Sequence, residues 1–250
     1  MAPVSTRAVL LRGHDYGETS RILRFLTEDR GLVSVMARGV RGRTGKGTSA
    51  ADTFSGGVLT VYMKPGRDLQ TMKDFTVDRP RAALGRHLLR FAAASAAAEL
   101  VLAHAEASGQ AHLYDTLERE LDLLTNADAP RLPSVALATL WGLAAAFGFA
   151  PELATCVRCG APIPDGAVAR FDLPAGGLRC PGCAEGFSGP RVGPESRRDL
   201  GLFLAGGPGK VLSHPRRHLN LLSDFLAFHL VSRPLKALTF LADAFPLDEA

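Results

Sequence analysis

Residues 4–37 determine how the chain begins to fold, and they read VSTRAVLLRGHDYGETSRILRFLTEDRGLVSVMA. Branched and aromatic residues concentrate in short segments that are separated by turn-forming residues. Such segments recur up to residue 80, at 4–12, 20–27, 31–37, 57–63 and 69–77. Five short strands favour a small closed barrel, because closure removes exposed strand edges. We therefore predict an OB-fold β-barrel, and an SH3-like barrel is compatible with the same pattern.

The composition changes after Pro80, where alanine, leucine and other helix-forming residues predominate. The pattern predicts helices at about 82–107, 111–125, 133–148, 194–204, 215–231 and 234–243. We therefore predict an α+β multidomain protein with an OB-fold domain at 1–80 and an α-helical domain at 81–250.

The four cysteines of the chain have the spacing C-x2-C-x20-C-x2-C, at Cys156, Cys159, Cys180 and Cys183. Two residues between paired cysteines let both thiolates face one tetrahedral ion, and Gly160 and Gly176-Gly177 suit the turns this requires. Two disulfides, a redox dithiol and an iron–sulfur cluster are the alternatives, and a cytosolic location disfavours disulfides. We expect one structural Zn2+ ion, in a zinc module at about 152–190 inserted in the helical domain.

The overall composition is that of a globular protein. The chain has 250 residues, of which 46% are hydrophobic and 22% charged, and its mean hydropathy is +0.08. No apolar run reaches the length of about eighteen residues that a membrane span needs. The N-terminus also lacks the basic and then apolar layout of a signal peptide. We therefore expect a cytoplasmic protein that does not bind membranes.

Positive charge is concentrated in the first third of the chain. Residues 1–80 contain 13 Lys and Arg against 8 Asp and Glu, although the net charge of the whole chain is +4. No acidic residue occurs at 31–51, a segment that also contains several glycines and hydroxyl side chains. A basic loop of this kind on a small barrel suits contact with nucleic-acid phosphates, and a solvated surface loop is the alternative.

The predicted nucleic-acid contacts follow from this distribution. The main phosphate ligands are expected in the basic loop, at Arg38, Arg41, Arg43 and Lys46. Further contacts are expected from the next hairpin and the barrel face, at Lys64, Arg67, Arg21 and Arg24. A second basic surface on the helical body, with helix capping as the alternative role, comprises Arg197, Arg198, Arg216 and Arg217. The aromatic residues that either stack on bases or fill the barrel core are Tyr16, Phe25, Phe54, Tyr62 and Phe75.

Two segments are similar to catalytic motifs without matching them. His104-Ala105-Glu106 followed by a C-x2-C pair is similar to the zinc-deaminase signature, but no proline precedes either pair. Residues 42–48 are similar to a phosphate-binding P-loop, but Val40 stands where the motif requires its first glycine. Gly47 also replaces the Ser or Thr that would bind Mg2+. We therefore expect no enzymatic activity.

Short motifs occur in a characteristic order along nearly the whole chain, at 8–12, 16–23, 25–27, 31–33, 37–41, 147–153, 156–160, 176–180 and 233–238. In this order they resemble the RecO family of bacterial recombination mediators. Ala237 departs from the family pattern, in which many relatives have a serine.

The resemblance implies both a fold and a function. Family members are expected to have an OB-fold, a helical domain and often a zinc module. They bind single- and double-stranded DNA, anneal complementary strands and act with RecR to load RecA onto strands coated by single-strand-binding protein. DNA, RecR and single-strand-binding protein are therefore the implied partners of a cytoplasmic, nucleoid-associated protein. The alternatives are a zinc-ribbon scaffold that binds other proteins and has no DNA binding of its own, and an enzyme that uses the His104 and Glu106 pair.

Overall fold

The computed structural model describes residues 2–40, 52–105, 111–207, 209–231 and 233–248. The chain divides into two compact units, Met1–Thr125 and Asn126–Ala250. They are named here the first unit and the second unit. No helix in the described ranges is long and apolar enough to cross a membrane.

The first unit begins with five strands that close into a barrel. The strands are β1 Val4–Tyr16, β2 Ser20–Thr27, β3 Gly31–Ala37, β4 Gly56–Tyr62 and β5 Leu69–Arg79. Their order around the barrel is β1-β2-β3-β5-β4. β3 and β5 pair in parallel, whereas the other neighbouring strands are antiparallel. This is the five-stranded barrel of the OB-fold, so the predicted fold class is confirmed.

Alternate side chains of the strands fill the barrel. Leu23 and Phe25 of β2 and Val35 of β3 point inward and are buried. The ring of Phe25 meets that of Phe75 edge to face, with 4.8 Å between the centroids. Because strand side chains alternate, the residues between these positions lie on the outer face of the barrel.

In its described residues the first unit also contains the α-helices α1 Leu88–His104 and α2 Ala111–Asn126. Arg81, just after β5, is 2% exposed and joins α2 to the barrel. Its guanidinium donates to Glu118 Oε1 at 3.0 Å and to Asp122 Oδ1 at 2.7 Å, both on α2. It also donates to the backbone oxygen of Phe54 at 2.9 Å. A buried ionic network therefore holds α2 against the barrel.

The described part of the second unit contains the α-helices α3 Leu132–Ala146, α4 Pro194–Ala205, α5 Pro215–His229 and α6 Lys236–Ala244. It also contains a small sheet of β6 Ala169–Asp172, β7 Gly177–Arg179 and β8 Arg191–Val192, in the order β7-β6-β8. The core forms around Phe225 of α5, whose ring centroid lies 4.8 Å from Trp141 and 6.0 Å from Phe171. Since Phe171 belongs to β6, the sheet is anchored in the helical core.

The sequence predicted the five barrel strands and the helices in the right order, and the barrel followed by helices is confirmed, whereas the small sheet β6–β8 was not predicted. Along the sequence, the boundary between the two units follows residue 125, so α1 and most of α2 belong to the same unit as the barrel. The division into domains at 1–80 and 81–250 stays a prediction.

Candidate metal centre and nucleic-acid interface

The first cysteine pair sits in a tight turn. The Cys156 amide donates to Ala161 O at 2.8 Å, and the Gly160 amide donates to Cys156 O at 2.8 Å. Gly160 has φ +73°, a conformation that residues with a Cβ rarely adopt. The turn therefore aims the side chains of Cys156 and Cys159 to the same side, as the spacing predicts.

The second pair reaches the first through the β6–β7 hairpin, which ends directly before Cys180. Backbone bonds join this hairpin to the first knuckle, since Val157 N donates to Leu178 O at 2.9 Å and Leu178 N donates to Glu152 O at 3.0 Å. A Cβ on Gly177 would lie 2.6 Å from Glu152 O. Glycine is therefore required for this close approach of two backbones.

The four sulfur atoms form one cluster, at Cys156, Cys159, Cys180 and Cys183. They all lie within 4.8 Å of one another, and the Cys159 and Cys180 sulfurs are 3.9 Å apart. Tetrahedral coordination with metal–sulfur bonds of about 2.3 Å places sulfurs about 3.8 Å apart. Such a donor set fits one metal ion that prefers thiolates and leaves no open position for substrate.

The thiols of Cys156 and Cys183 differ in pKa because their hydrogen-bond partners differ. Burial opposes ionisation of Cys156, but backbone N–H groups of Cys180, Cys159 and Arg158 together lower its pKa to about 6. Hydrogen bonds with Cys159 and Cys180 raise the pKa of Cys183 to about 12. Four thiolates can therefore coexist near neutral pH when a cation between them offsets their mutual repulsion.

The outer surface of β1, β2 and β3 forms the second candidate site, named here the β1–β3 face. Rows of paired residues cross it: Arg12, Arg24 and Ser34 in one row, then His14, Ile22 and Met36 in the next. Tyr16 pairs with Ser20 beyond them and is 56% exposed. Arg38 follows Met36 by two residues and is also exposed. The rows named here contain no acidic residue.

The residues predicted to contact DNA are distributed between the β4–β5 loop, the barrel strands and the segment outside the described residues. Lys64 and Arg67 are exposed in the β4–β5 loop, which leads into Leu69, the partner of Ser34 on β3. Arg24 lies on the β1–β3 face, whereas Arg21 has the inward parity of Leu23 and pairs with Asp15 at 3.3 Å. The other predicted loop contacts lie outside the described residues: Arg41, Arg43 and Lys46.

The predicted second basic surface is partly engaged within the second unit. Arg197 donates to Ile163 O and to Asp165, each at 3.0 Å. Arg216 donates to the backbone oxygens of Ala242 and Phe245 near the end of α6. Exposed guanidinium groups are present at Arg198 and at Arg217, whose Nε lies 3.6 Å from Asp248. The first two arginines thus have structural partners.

The remaining candidate residues from the sequence include aromatic side chains and the two motif-like segments. Phe25, Phe54 and Phe75 are buried, so they are core residues rather than stacking platforms. Tyr62 is half-buried. His104 is half-buried at the end of α1, and burial lowers its pKa. Glu106 and the P-loop-like segment lie outside the described residues.

Arg12 is a site residue that sequence reasoning missed. Strict alternation from the buried Leu10 would point Arg12 into the barrel. A register shift between Leu10 and Arg12 adds one residue to β1, so that Arg12 lies opposite Arg24 on the outer face. The run Leu10-Leu11 gives a weak signal of this bulge, since both leucines are buried.

Together these features define a multidomain OB-fold protein whose helical unit carries a four-cysteine cluster able to hold a metal ion. The family models described as "Recombination protein O N terminal" and "Recombination protein O C terminal" match residues 1–80 and 86–239. The chain belongs to this family, RecO, which acts in DNA repair and recombination.

Curated relatives agree over almost the full length. A protein named "DNA repair protein RecO" from Anaeromyxobacter sp. (strain K) is 37% identical over 258 residues, covering 99% of each chain. The protein of that name from Anaeromyxobacter dehalogenans (strain 2CP-1 / ATCC BAA-258) is 37% identical over 250 residues, covering 96% of each. The one from Nocardioides sp. (strain ATCC BAA-499 / JS614) is 32% identical over 244 residues, covering 93% of this chain and 96% of the relative.

Proposed function

We propose that the protein binds single- and double-stranded DNA, anneals complementary strands and, together with RecR, helps to load RecA onto strands coated by single-strand-binding protein. Family membership in DNA repair and recombination supports this role. The observation that carries the proposal is the β1–β3 face with the β4–β5 loop beside it. OB-folds bind oligonucleotides on this part of the barrel.

The charges on this surface suit a polyanion. Arg38, Lys64 and Arg67 are exposed, and the adjoining rows of the β1–β3 face carry no acid that would repel phosphates. Long cationic side chains around a shallow surface bind the nucleic-acid backbone independently of base sequence. Arg41, Arg43 and Lys46, which lie outside the described residues, are proposed as further phosphate contacts.

We also propose that the four cysteines hold one Zn2+ ion with a structural role. Zinc suits four thiolates in tetrahedral geometry, and the ion would fix the two knuckles against each other. The protein itself is proposed to act by binding rather than by catalysis. Its cytoplasmic, nucleoid-associated location follows from that role.

A salt-titrated binding assay tests the DNA-binding surface. Replacing Arg38, Lys64 and Arg67 by Gln removes up to three phosphate contacts, so the log–log salt slope for single strands should fall by about 2. The matched control replaces three exposed arginines of the second unit, Arg158, Arg191 and Arg233, by Gln. An equal loss in both variants would mean that overall charge, and not this surface, governs binding.

A protein-binding scaffold without DNA binding is the second candidate, because the four-cysteine cluster has no coordination position open for chemistry. If the wild-type protein does not alter the mobility of labelled single- or double-stranded oligonucleotides at low salt, the scaffold is favoured. Binding that weakens steeply with salt supports the DNA-binding role instead.

A further inference from the structure

Two arginines stand side by side on the β1–β3 face. Arg12 of β1 is paired directly with Arg24 of β2, and Arg24 with Ser34 of β3. Directly opposed residues on one face have Cβ atoms about 5 Å apart, a distance at which like charges destabilise a sheet. Because the two guanidinium groups repel each other, their pairing points to an anion that both side chains bind.

The described rows that flank these arginines contain no acidic residue. The neighbouring rows contain Val9, Leu26 and Leu32 on one side and His14, Ile22 and Met36 on the other. Asp15 has the opposite parity on β1 and pairs with Arg21. Within the part of the chain that the structure describes, the Nε atom of Arg24 is buried and has no hydrogen-bond partner.

The backbone is arranged to turn Arg12 outward. Leu10 bonds to the segment after the basic loop in both directions: Leu10 N donates to Ser55 O at 3.0 Å, and Phe54 N donates to Leu10 O at 2.7 Å. The register of β1 shifts immediately after Leu10, which brings Arg12 opposite Arg24. Bulges of this kind re-aim side chains and occur near functional sites.

We propose that Arg12 and Arg24 form a clamp for one phosphate group of a single DNA strand, and that a base of the same strand stacks on Tyr16. Guanidinium groups bind phosphate oxygens through paired, charge-assisted hydrogen bonds, which would also satisfy the Nε atom of Arg24. The ring of Tyr16 is exposed two rows further along β1. Bases of a duplex are already stacked and paired, so this ring selects a single strand. The clamp rests on the proposed DNA-binding function and deepens it.

The test measures binding of short single- and double-stranded oligonucleotides across salt concentrations. Arg12→Gln, Arg24→Gln and the double variant should each lower the single-strand salt slope by about 0.7, because both arginines hold the same phosphate. Tyr16→Leu should weaken single-strand binding by roughly 5- to 150-fold and leave duplex binding unchanged. Arg30→Gln is the matched control, because it also removes one positive charge but from a residue outside the clamp that pairs with Asp29 at 3.4 Å.

Arg24→Lys keeps the positive charge but loses the paired hydrogen bonds of the guanidinium group, so it separates phosphate binding by the clamp from general electrostatic attraction. This variant also keeps the proposal testable if the Gln variants fail to fold. Unchanged slopes in the double variant, alongside a loss in the Arg38, Lys64 and Arg67 variant, would overturn the clamp and leave the proposed function intact. An equal drop for duplex and single strand would overturn the single-strand assignment. If wild type binds no DNA, the proposed function itself fails.

Discussion

The buried ionic network around Arg81 gives a sharp prediction about stability. Arg81→Met leaves the carboxylate of Glu118, whose side chain is 5% exposed, without its buried partner and leaves Phe54 O without its Arg81 donor. Breaking a buried ion pair by removing one member destabilises a protein by about 3–5 kcal/mol. Because typical domains have only about 5–15 kcal/mol in total, we expect Arg81→Met to remove a large share of the stability of the first unit.

Thermal and urea unfolding of the full chain measure the effect. A loss of that size corresponds to a fall in Tm of at least about 10 °C at roughly 3 °C per kcal/mol. Arg79→Met is the matched control, because Arg79 also pairs with Glu118 but its side chain is 45% exposed. Because Arg79 is hydrated and Glu118 keeps its bond to Arg81, losing this pair should cost only about 0–1 kcal/mol, so the control should be close to wild type.

The double variant Arg81→Met/Glu118→Met removes both charges and should recover part of the loss, since no buried charge remains unpaired. The reasoning is refuted if Arg81→Met lies within about 1 kcal/mol of wild type, or if the double variant is less stable than either single one.

Three further predictions concern the second unit. A strong chelator should release one zinc ion per chain and speed hydrogen exchange at 152–190; equal exchange with and without chelator would contradict a structural metal. Phe171→Ala should destabilise this unit by about 3–5 kcal/mol in urea unfolding, because the fully buried ring packs on Phe225; a loss below about 1 kcal/mol would contradict the anchoring role. Burial lowers the pKa of His218, so the unfolded state takes up its proton first and stability should fall as pH drops below about 6.5. His218→Asn should flatten this fall while the exposed control His112→Asn does not; parallel curves would contradict it.

The barrel and the cysteine cluster were predictable because both follow from local patterns. Turn-forming residues bound the short branched and aromatic segments at 20–27 and 31–37, and the structure forms a strand from each, with Leu23, Phe25 and Val35 in the barrel core. Cysteine spacing likewise limits how far apart the thiols can lie. Neither argument depends on contacts between distant segments.

The remaining features depend on long-range contacts. Arg12 faces outward because of a bulge, and one inserted residue reverses the side on which every later side chain of β1 lies. Arg197 and Arg216 resemble surface cations in the sequence, but their guanidinium groups donate hydrogen bonds to backbone oxygens of residues distant in the sequence. Tertiary packing decides which cationic side chains have partners within the protein, and the residue composition carries no information about that packing.

The position of Arg81 has a consequence for exchanging parts between relatives. Arg81 and its two acidic partners, Glu118 and Asp122, all lie on the C-terminal side of residue 80. From the barrel the guanidinium takes a main-chain oxygen, at Phe54, which a residue of any type supplies. A chimera joined at this point would therefore keep Arg81 together with both of its acidic partners, whichever barrel it receives. The pair between the half-exposed Arg79 of β5 and Glu118 would instead depend on the barrel supplied.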